Sequence, residues 1–145
     1  MYESQFRMFY VDYLLRVLKD TKRRVYAECA CKKAGGKTSF IDNVVSLGGR
    51  YLPVEVKLMI SSEQDLKGQV HKYCNLDELY LDKKSDRKAS LDQIYSNYVL
   101  IIDTVGIYLY YDGDGSIQKL CSLKDIKQET DIINLRETLL MRLQK

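Results

Sequence analysis

The sequence has no tryptophan, a single proline, a single histidine and no long apolar run. A helix that spans a bilayer needs about 20 predominantly apolar residues, and no apolar stretch of this chain approaches that length. The N-terminal segment MYESQFRMFY carries charges where a secretory signal peptide has its apolar core. We therefore expect a cytoplasmic protein that does not have a membrane as a partner.

Motifs for zinc knuckles and for nucleotide-driven motors are also missing. None of the four cysteines, Cys29, Cys31, Cys74 and Cys121, forms a Cys-x-x-Cys pair. Cys29 and Cys31 alternate along a strand-like segment, so both should face one side of a sheet as buried structural thiols. The chain contains no Walker-type phosphate loop, so it is not expected to contain a motor domain.

The composition is that of an ordinary globular protein with an uneven charge distribution. Hydrophobic residues make up 46% and charged residues 30% of the 145 residues, which suits one domain, residues 1–145, around a single core. The formal net charge is only +3, but eight basic residues and two acidic ones lie between Arg16 and Lys37. Such a patch fits a nucleic-acid backbone, and equally a solvated surface rich in lysine. The predicted nucleic-acid contacts in this segment are Lys32, Lys33 and Lys37.

Hydrophobic spacing predicts the order helix, three strands, helix, three strands, helix. The first helix is expected over residues 4–19, and the first three strands over 24–31, 38–47 and 50–60. A helix then begins at Ser61-Ser62, and the segments NYVLIIDT, GIYLYYD and SIQKL read as further strands before a final amphipathic helix. This order predicts an α/β sandwich around a mixed sheet.

The dipeptide Gly48-Gly49, between two predicted strands, is a strong signal for a two-residue hairpin. If the residues that flank this turn pair with each other, Asp42 faces Glu55 across the ladder, with the Cβ atoms about 5 Å apart. Lys57 should share their face, because alternate residues of a strand point the same way. The proline, Pro53, predicts that the start of the second strand lies at an edge or a bulge.

Two carboxylates that face each other across a ladder suggest a divalent-cation site. Directly opposed like charges are unfavourable in a sheet, and a bound cation removes that penalty. Carboxylate oxygens suit Mg²⁺ and Mn²⁺, which also coordinate phosphate. Such an ion can activate water for attack on phosphorus, while a nearby lysine stabilises the developing charge. From the spacing alone, a surface hairpin with a solvated charge cluster remains an equal alternative.

The segment FIDNVVSLGGRYLPVEVK resembles the core of the PD-(D/E)XK nuclease superfamily, with an Asp after apolar residues, a hairpin, and Glu-x-Lys in a strand. Downstream, the segment from Gln69 to Tyr73 is similar to the Gln-x-x-x-Tyr motif of RecB-like nucleases and of the N-terminal nuclease domains of type I restriction motor subunits. Residues four apart share a helix face, as this motif requires. The resemblance spans most of the chain and implies a restriction-endonuclease-like α/β/α sandwich, with helices flanking a central mixed β-sheet.

The resemblance also implies roles for the hairpin residues. Asp42 and Glu55 would bind Mg²⁺ or Mn²⁺, helped by the backbone carbonyl of Val56. Lys57 would contact the scissile phosphate or orient the attacking water.

Further roles follow for residues on the two flanking helices. The glutamate that the family carries on its first helix would be Glu3, which continues the apolar stripe of that helix. Gln69 and Tyr73 would support the site or touch the nucleic acid. Between them, Lys72 is expected to contact nucleic acid, and His71 is expected either on the solvent or phosphate side or as a catalytic residue. The plainer alternatives are that Glu3 only favours the helix dipole and that Gln69 is an ordinary surface residue.

The function expected from these features is hydrolysis of DNA phosphodiester bonds with Mg²⁺ or Mn²⁺, in restriction, repair or defence against mobile elements. The protein could act as a homodimer or within a larger assembly. Three alternatives stay open. They are a non-catalytic nucleic-acid-binding module on the same fold, an RNA-directed nuclease, and a protein-interaction domain that uses the twelve tyrosines.

Overall fold

A computed structural model describes residues 3–33, 35–60, 62–81 and 87–143, without the side chains of residues 3, 4, 8 and 9. Three longer helices occur in these ranges, together with the single 3₁₀ turns Leu91–Gln93 and Leu123–Asp125. Helix α1 consists of the consecutive segments Glu3–Phe6, the π-helical Arg7–Val11 and Asp12–Leu18; α2 is Glu63–His71; and α3 is Glu129–Arg142. No helix within the described ranges is long and apolar enough to cross a membrane.

One mixed sheet of seven strands, in the order β4-β1-β2-β3-β5-β6-β7, forms the centre of the molecule. The strands are β1 Val25–Lys32, β2 Ser39–Leu47, β3 Arg50–Val56, β4 Glu78–Leu79, β5 Tyr98–Ile102, β6 Gly106–Tyr111 and β7 Ser116–Ser122. Strands β3 and β5 run parallel, and the other neighbours are antiparallel. The mixed α/β prediction is confirmed. The two-residue strand β4 was not predicted, because so short a segment carries no hydrophobic period.

The sheet separates two apolar cores, where the sequence predicted one. On one face, α1 and α3 pack against β3, β5 and β6; on the other, α2 packs against β1, β2 and β5. Cys29 and Cys31 are both buried beneath α2, which confirms the prediction for this pair. Because β5 is covered on both faces, its sequence YVLII is apolar without alternation.

Strand β3 ends at Val56, four residues earlier than predicted. The N–H of Lys57 still donates to the carbonyl of Ile102 at 2.9 Å, but the chain then leaves the sheet. Leu58 packs on the α1 side, with Val54 and Val56, but Ile60 packs on the α2 side. The regular alternation expected of a strand up to residue 60 therefore ends before Ile60.

Pro53 belongs to the central strand β3, but at the start of this strand only β2 pairs regularly, which is the edge-like position that the proline predicted. Pro53 pairs with Val44 of β2, but regular pairing of β3 with β5 begins only at Val54. Proline has no N–H to donate, and at Pro53 the side of β3 that faces β5 has no regular ladder that would need this donor.

Asp20 holds the hairpin turn in place. Its two carboxylate oxygens accept hydrogen bonds from the N–H groups of Gly48 and Gly49, each at 2.8 Å, and from the Ser46 hydroxyl at 3.0 Å. Arg136 of α3 approaches the same carboxylate at 2.7 Å. Burial acts to raise the pKa of Asp20, but these hydrogen bonds outweigh it, and the pKa lies below its ordinary value of 3.8.

We expect Asp20→Ala to lower the free energy of unfolding by about 3 kcal/mol, because hydrogen bonds to a partly buried charge are among the stronger ones. Since the folded pKa is depressed, this contribution is present above pH 3.8 and is lost as the pH falls through the folded value. Urea denaturation at a series of pH values measures both effects. The exposed Asp92 provides a matched control in Asp92→Ala, and equal stability of the two variants would contradict the anchoring role.

Candidate active site

The hairpin register agrees with the sequence prediction over most of its length. Gly48 and Gly49 both have positive φ, +64° and +81°, as a tight two-residue turn requires. Leu47 pairs with Arg50, and the ladder runs from there in the predicted register. This register brings Asp42, on β2, next to the end of β3.

Asp42 lies at an irregularity in the sheet. Regular pairing of β2 with β3 stops at Asn43 and Val54, one pair short of Asp42 and Glu55. On the other side, pairing with β1 skips Asp42 and the residue opposite it, Glu28, whose φ is +50°. Such a left-handed conformation is uncommon for a residue with a side chain and is enriched at functional sites.

The Asp42 carboxylate takes the place of a ladder partner. Its Oδ2 accepts a hydrogen bond from the N–H of Val56 at 2.8 Å, and its Oδ1 pairs with Nη2 of Arg7 at 2.9 Å. The side chain remains 24% exposed. Asp42 is therefore fixed at the end of β3, with one side open to solvent.

Glu55 is a buried carboxyl group with incomplete pairing. It is only 4% exposed, and its Oε1 lies 3.3 Å from Nζ of Lys57. Its Oε2 is buried and accepts no hydrogen bond from the described part of the chain. Burial, followed by the charge of Asp42, raises the pKa of Glu55, and Lys57 and the Tyr73 hydroxyl offset only part of that rise.

Tyr73 lies beneath the two carboxylates. Its hydroxyl donates to the carbonyl of Phe40 at 3.3 Å, and burial and the charge of Glu55 raise its pKa. The side chain is 6% exposed. Of the two roles predicted for Tyr73, this position fits support of the site rather than contact with a nucleic acid.

Lys57 and Gln69 line one small cavity of about 150 Å³. Gln69 is exposed on α2, and Lys57 reaches the cavity from the end of β3. Helix α2 ends at His71, and the N–H of Tyr73 bonds to Val70 in a tighter turn. The regular helical spacing predicted that Gln69 and Tyr73 share one face, but they do not. The exposed Gln69 approaches the site from its open side, and the buried Tyr73 approaches it from its buried side.

The residues present fit a divalent cation in part. The unpartnered Oε2 of Glu55 and the open side of Asp42 are oxygen donors of the kind that Mg²⁺ and Mn²⁺ prefer. Within the described side chains, no three His, Cys, Asp or Glu residues cluster as a metal site. A third ligand would come from the backbone, as proposed for the carbonyl of Val56, or from Glu3, whose side chain lies outside the described residues.

Arg7 is a site residue that sequence reasoning missed. It lies at the start of the π-helical segment Arg7–Val11 of α1, where the wider helical turn shifts every later residue relative to a regular helix. No feature of the sequence marks such a segment. The four-residue interval between Glu3 and Arg7, typical of a helical ion pair, was the available signal.

Part of the predicted nucleic-acid surface forms one cluster beside Tyr73. Nζ of Lys33 donates to the backbone carbonyl of His71 at 3.1 Å, and Nζ of Lys72 lies 5.5 Å from the centre of the Tyr73 ring. These contacts join the turn after β1 to the end of α2. The remaining predicted contacts, Lys32 and Lys37, are exposed residues of the β1–β2 segment.

His71 is held by an acidic residue from another part of the chain. Its Nδ1 lies 2.7 Å from Oδ1 of Asp112, which also accepts from the Tyr110 hydroxyl at 2.6 Å. Burial opposes ionisation of Asp112, but the hydrogen bonds from His71 and Tyr110 lower its pKa below the ordinary value. His71 itself is 61% exposed, so it faces solvent next to Lys33 rather than the two carboxylates.

Neither protein-family models, nor curated proteins, nor solved structures match this chain.

Proposed function

We propose that the protein is a metal-dependent nuclease that hydrolyses DNA phosphodiester bonds, with a restriction-endonuclease-like α/β/α fold of the PD-(D/E)XK type. The observation that carries the proposal is the buried Glu55 carboxylate, whose Oε2 has no partner in the described chain, beside Asp42 and Lys57. A buried charge without a full set of partners is costly. A ligand that completes the coordination of such a group removes this cost, and perturbed carboxyl groups cluster at functional sites.

The roles follow from the positions of the side chains. Asp42 and Glu55 would hold Mg²⁺ or Mn²⁺ with a backbone oxygen of Val56, and the bound ion supplies positive charge to the phosphate. Lys57, anchored through its N–H to the sheet, places its ammonium group where it can contact the scissile phosphate. The buried Tyr73 lies close enough to Glu55 that burial, followed by the charge of that carboxyl, raises the pKa of the Tyr73 hydroxyl, so Tyr73 would support the site from its buried side.

The lysines beside the site supply the nucleic-acid surface in this proposal. Lys33 contacts the backbone of His71, and Lys72 lies over the ring of Tyr73. Phosphate contacts of this kind bind a backbone without regard to base sequence.

A specific observation favours the alternative of a non-catalytic nucleic-acid-binding module on the same fold. The Arg7 guanidinium pairs with Asp42 at 2.9 Å, which neutralises this carboxylate without a metal ion. In such a module, Arg7 and Lys57 would be permanent counter-ions of the two carboxylates.

Cleavage and melting experiments with the wild type and Asp42→Asn test the proposal. We expect the wild type to cut at least one of single-stranded, duplex and branched DNA in Mg²⁺ or Mn²⁺. Its melting temperature should rise with millimolar metal, since an ion that binds only the folded state stabilises it. Asp42→Asn should lose both properties, and the exposed carboxylate variant Asp92→Asn should keep both.

The other outcomes separate the alternatives. Salt-dependent DNA binding without cleavage or metal-induced stabilisation would replace the proposal with the non-catalytic module. Cleavage of an RNA strand but of none of the three DNA forms would identify an RNA-directed nuclease.

A further inference from the structure

A second, larger cavity of about 560 Å³ lies between α1 and the segment that leads into α3. This volume is within the range of small-molecule sites, roughly 300–1,000 Å³. The rings of Tyr10 and Tyr13 line it, and both side chains are about half exposed, 49% and 46%. Large aromatic side chains on a helix are usually buried, so two half-exposed rings on one cavity wall indicate a surface that receives a ligand.

The rings are supported by the core behind them. Phe6 is 1% exposed, and its ring lies 5.9 Å from that of Tyr10, with an angle of 33° between their planes. The phenol of Tyr10 therefore rests on fixed aromatic packing on one side and offers its other side to the cavity. Tyr10 also belongs to the π-helical segment of α1, and π segments are frequent at functional sites.

The opposite wall carries positive charge. Lys124 and Lys127 are exposed residues that line the cavity, and no acidic side chain is among the described residues that line it. Aromatic faces together with lysine ammonium groups fit a planar ring that is attached to an anion. An unpaired nucleobase with its phosphate has this chemistry.

Two connections join this cavity to the proposed active site. Arg7, the residue that pairs with Asp42, lies three residues before Tyr10 in the π-helical segment of α1. On the sheet side, the hydroxyl of Thr104, a lining residue, donates to the carbonyl of Leu58 at 2.8 Å. Leu58 directly follows Lys57, so each wall of the cavity is connected through a short stretch of chain to a residue of the site.

We propose that this cavity binds an unpaired base of the nucleic-acid strand whose backbone lies at Asp42, Glu55 and Lys57. The inference rests on the proposed function, since it requires a nucleic acid at that site. Tyr10 and Tyr13 stack on the base, and Lys124 and Lys127 contact a neighbouring phosphate. Duplex DNA keeps its bases paired, so the cavity makes the protein prefer single-stranded segments, ends or branched junctions.

Fluorescence anisotropy in EDTA tests the proposal without any cleavage. The probes are a single strand, the duplex of the same length, and the same single strand with a run of abasic sites. We expect the wild type to bind the intact strand about tenfold more tightly than the abasic one, and Tyr10→Leu with Tyr13→Leu to remove this preference, because stacking on an aromatic face is lost. Tyr10→Phe with Tyr13→Phe should keep the preference, since phenylalanine retains the face.

Two outcomes would overturn the base-binding cavity. The first is that the wild type binds the intact and the abasic strand with equal affinity. The second is that the double leucine variant, with the melting temperature of the wild type, keeps the preference for the intact strand. Either result would leave the metal-dependent cleavage of the wild type intact. Failure of the proposed function gives a different pattern: no cleavage in Mg²⁺ or Mn²⁺, while the leucine variant still loses the preference for the intact strand.

Discussion

Lys57→Ala is expected to reduce the rate of DNA cleavage at saturating substrate by about a hundredfold or more. The ammonium group lies 3.3 Å from Oε1 of Glu55, and the N–H of Lys57 is fixed to Ile102 of the neighbouring parallel strand at 2.9 Å. A charge held by the backbone of a central strand can be positioned for a transition state. Affinity for DNA should change little, because many other basic residues contribute to it.

A lysine that serves only as a counter-ion would behave differently. Its removal would lower the melting temperature in EDTA, since Glu55 and Asp42 would lose a compensating charge, and the cleavage step would be spared. Lys88→Ala provides the matched control, because Nζ of Lys88 also lies 3.3 Å from a glutamate oxygen, that of Glu78. Near-normal cleavage by Lys57→Ala in single-turnover measurements would remove its catalytic role.

The hairpin shows why part of this fold could be predicted from the sequence. The Gly48-Gly49 turn fixes the register locally, because both residues adopt positive φ without a steric penalty. That register, with the alternation of polar and apolar residues, correctly placed Asp42, Glu55 and Lys57 together. The restriction-endonuclease-like identity of the fold stays a prediction, since the structure establishes only a mixed α/β architecture with a seven-stranded sheet.

Features that depend on distant contacts could not be predicted. The left-handed Glu28 interrupts the ladder opposite Asp42, although a glutamate within an alternating strand gives no local sign of a break. The ion pair between Arg7 and Asp42 likewise joins two residues that are far apart along the chain. The anchoring of the hairpin by Asp20 depends on a turn that lies far from it along the chain.

Glu55→Gln is expected to abolish metal-dependent stabilisation and cleavage, and at the same time to make the metal-free protein more stable. The substitution keeps the shape of the side chain but removes a buried charge that lies next to Asp42. We expect a gain of about 1 kcal/mol in EDTA, since relief from burial and repulsion outweighs the lost ion pair with Lys57. For a domain of this size, this corresponds to roughly 3 °C in melting temperature.

The pH dependence of this gain has a definite sign. The pKa of Glu55 in the folded protein lies above its ordinary value of 4.5. Below pH 4.5 the carboxyl is protonated in both the folded and the unfolded state, so it contributes no penalty. As the pH rises through the folded pKa, the folded state has to bear the buried charge, and wild-type stability falls relative to Glu55→Gln. Urea denaturation in EDTA on both sides of this window measures the difference.

The direction of the stability change distinguishes a functional from a structural carboxylate. If Glu55 served the fold, its replacement would break a useful ion pair, and the metal-free protein would lose stability at every pH at which the carboxyl is ionised. If Glu55 serves a ligand, its buried charge lowers the free energy of unfolding of the metal-free protein, and glutamine removes this destabilisation. Such a loss of stability is common at residues that are needed for activity. Glu63→Gln is the control, because it removes an exposed carboxylate 3.5 Å from Lys67 and should change little. A Glu55→Gln protein that melts below the wild type in EDTA would contradict the proposed metal-binding role of this residue.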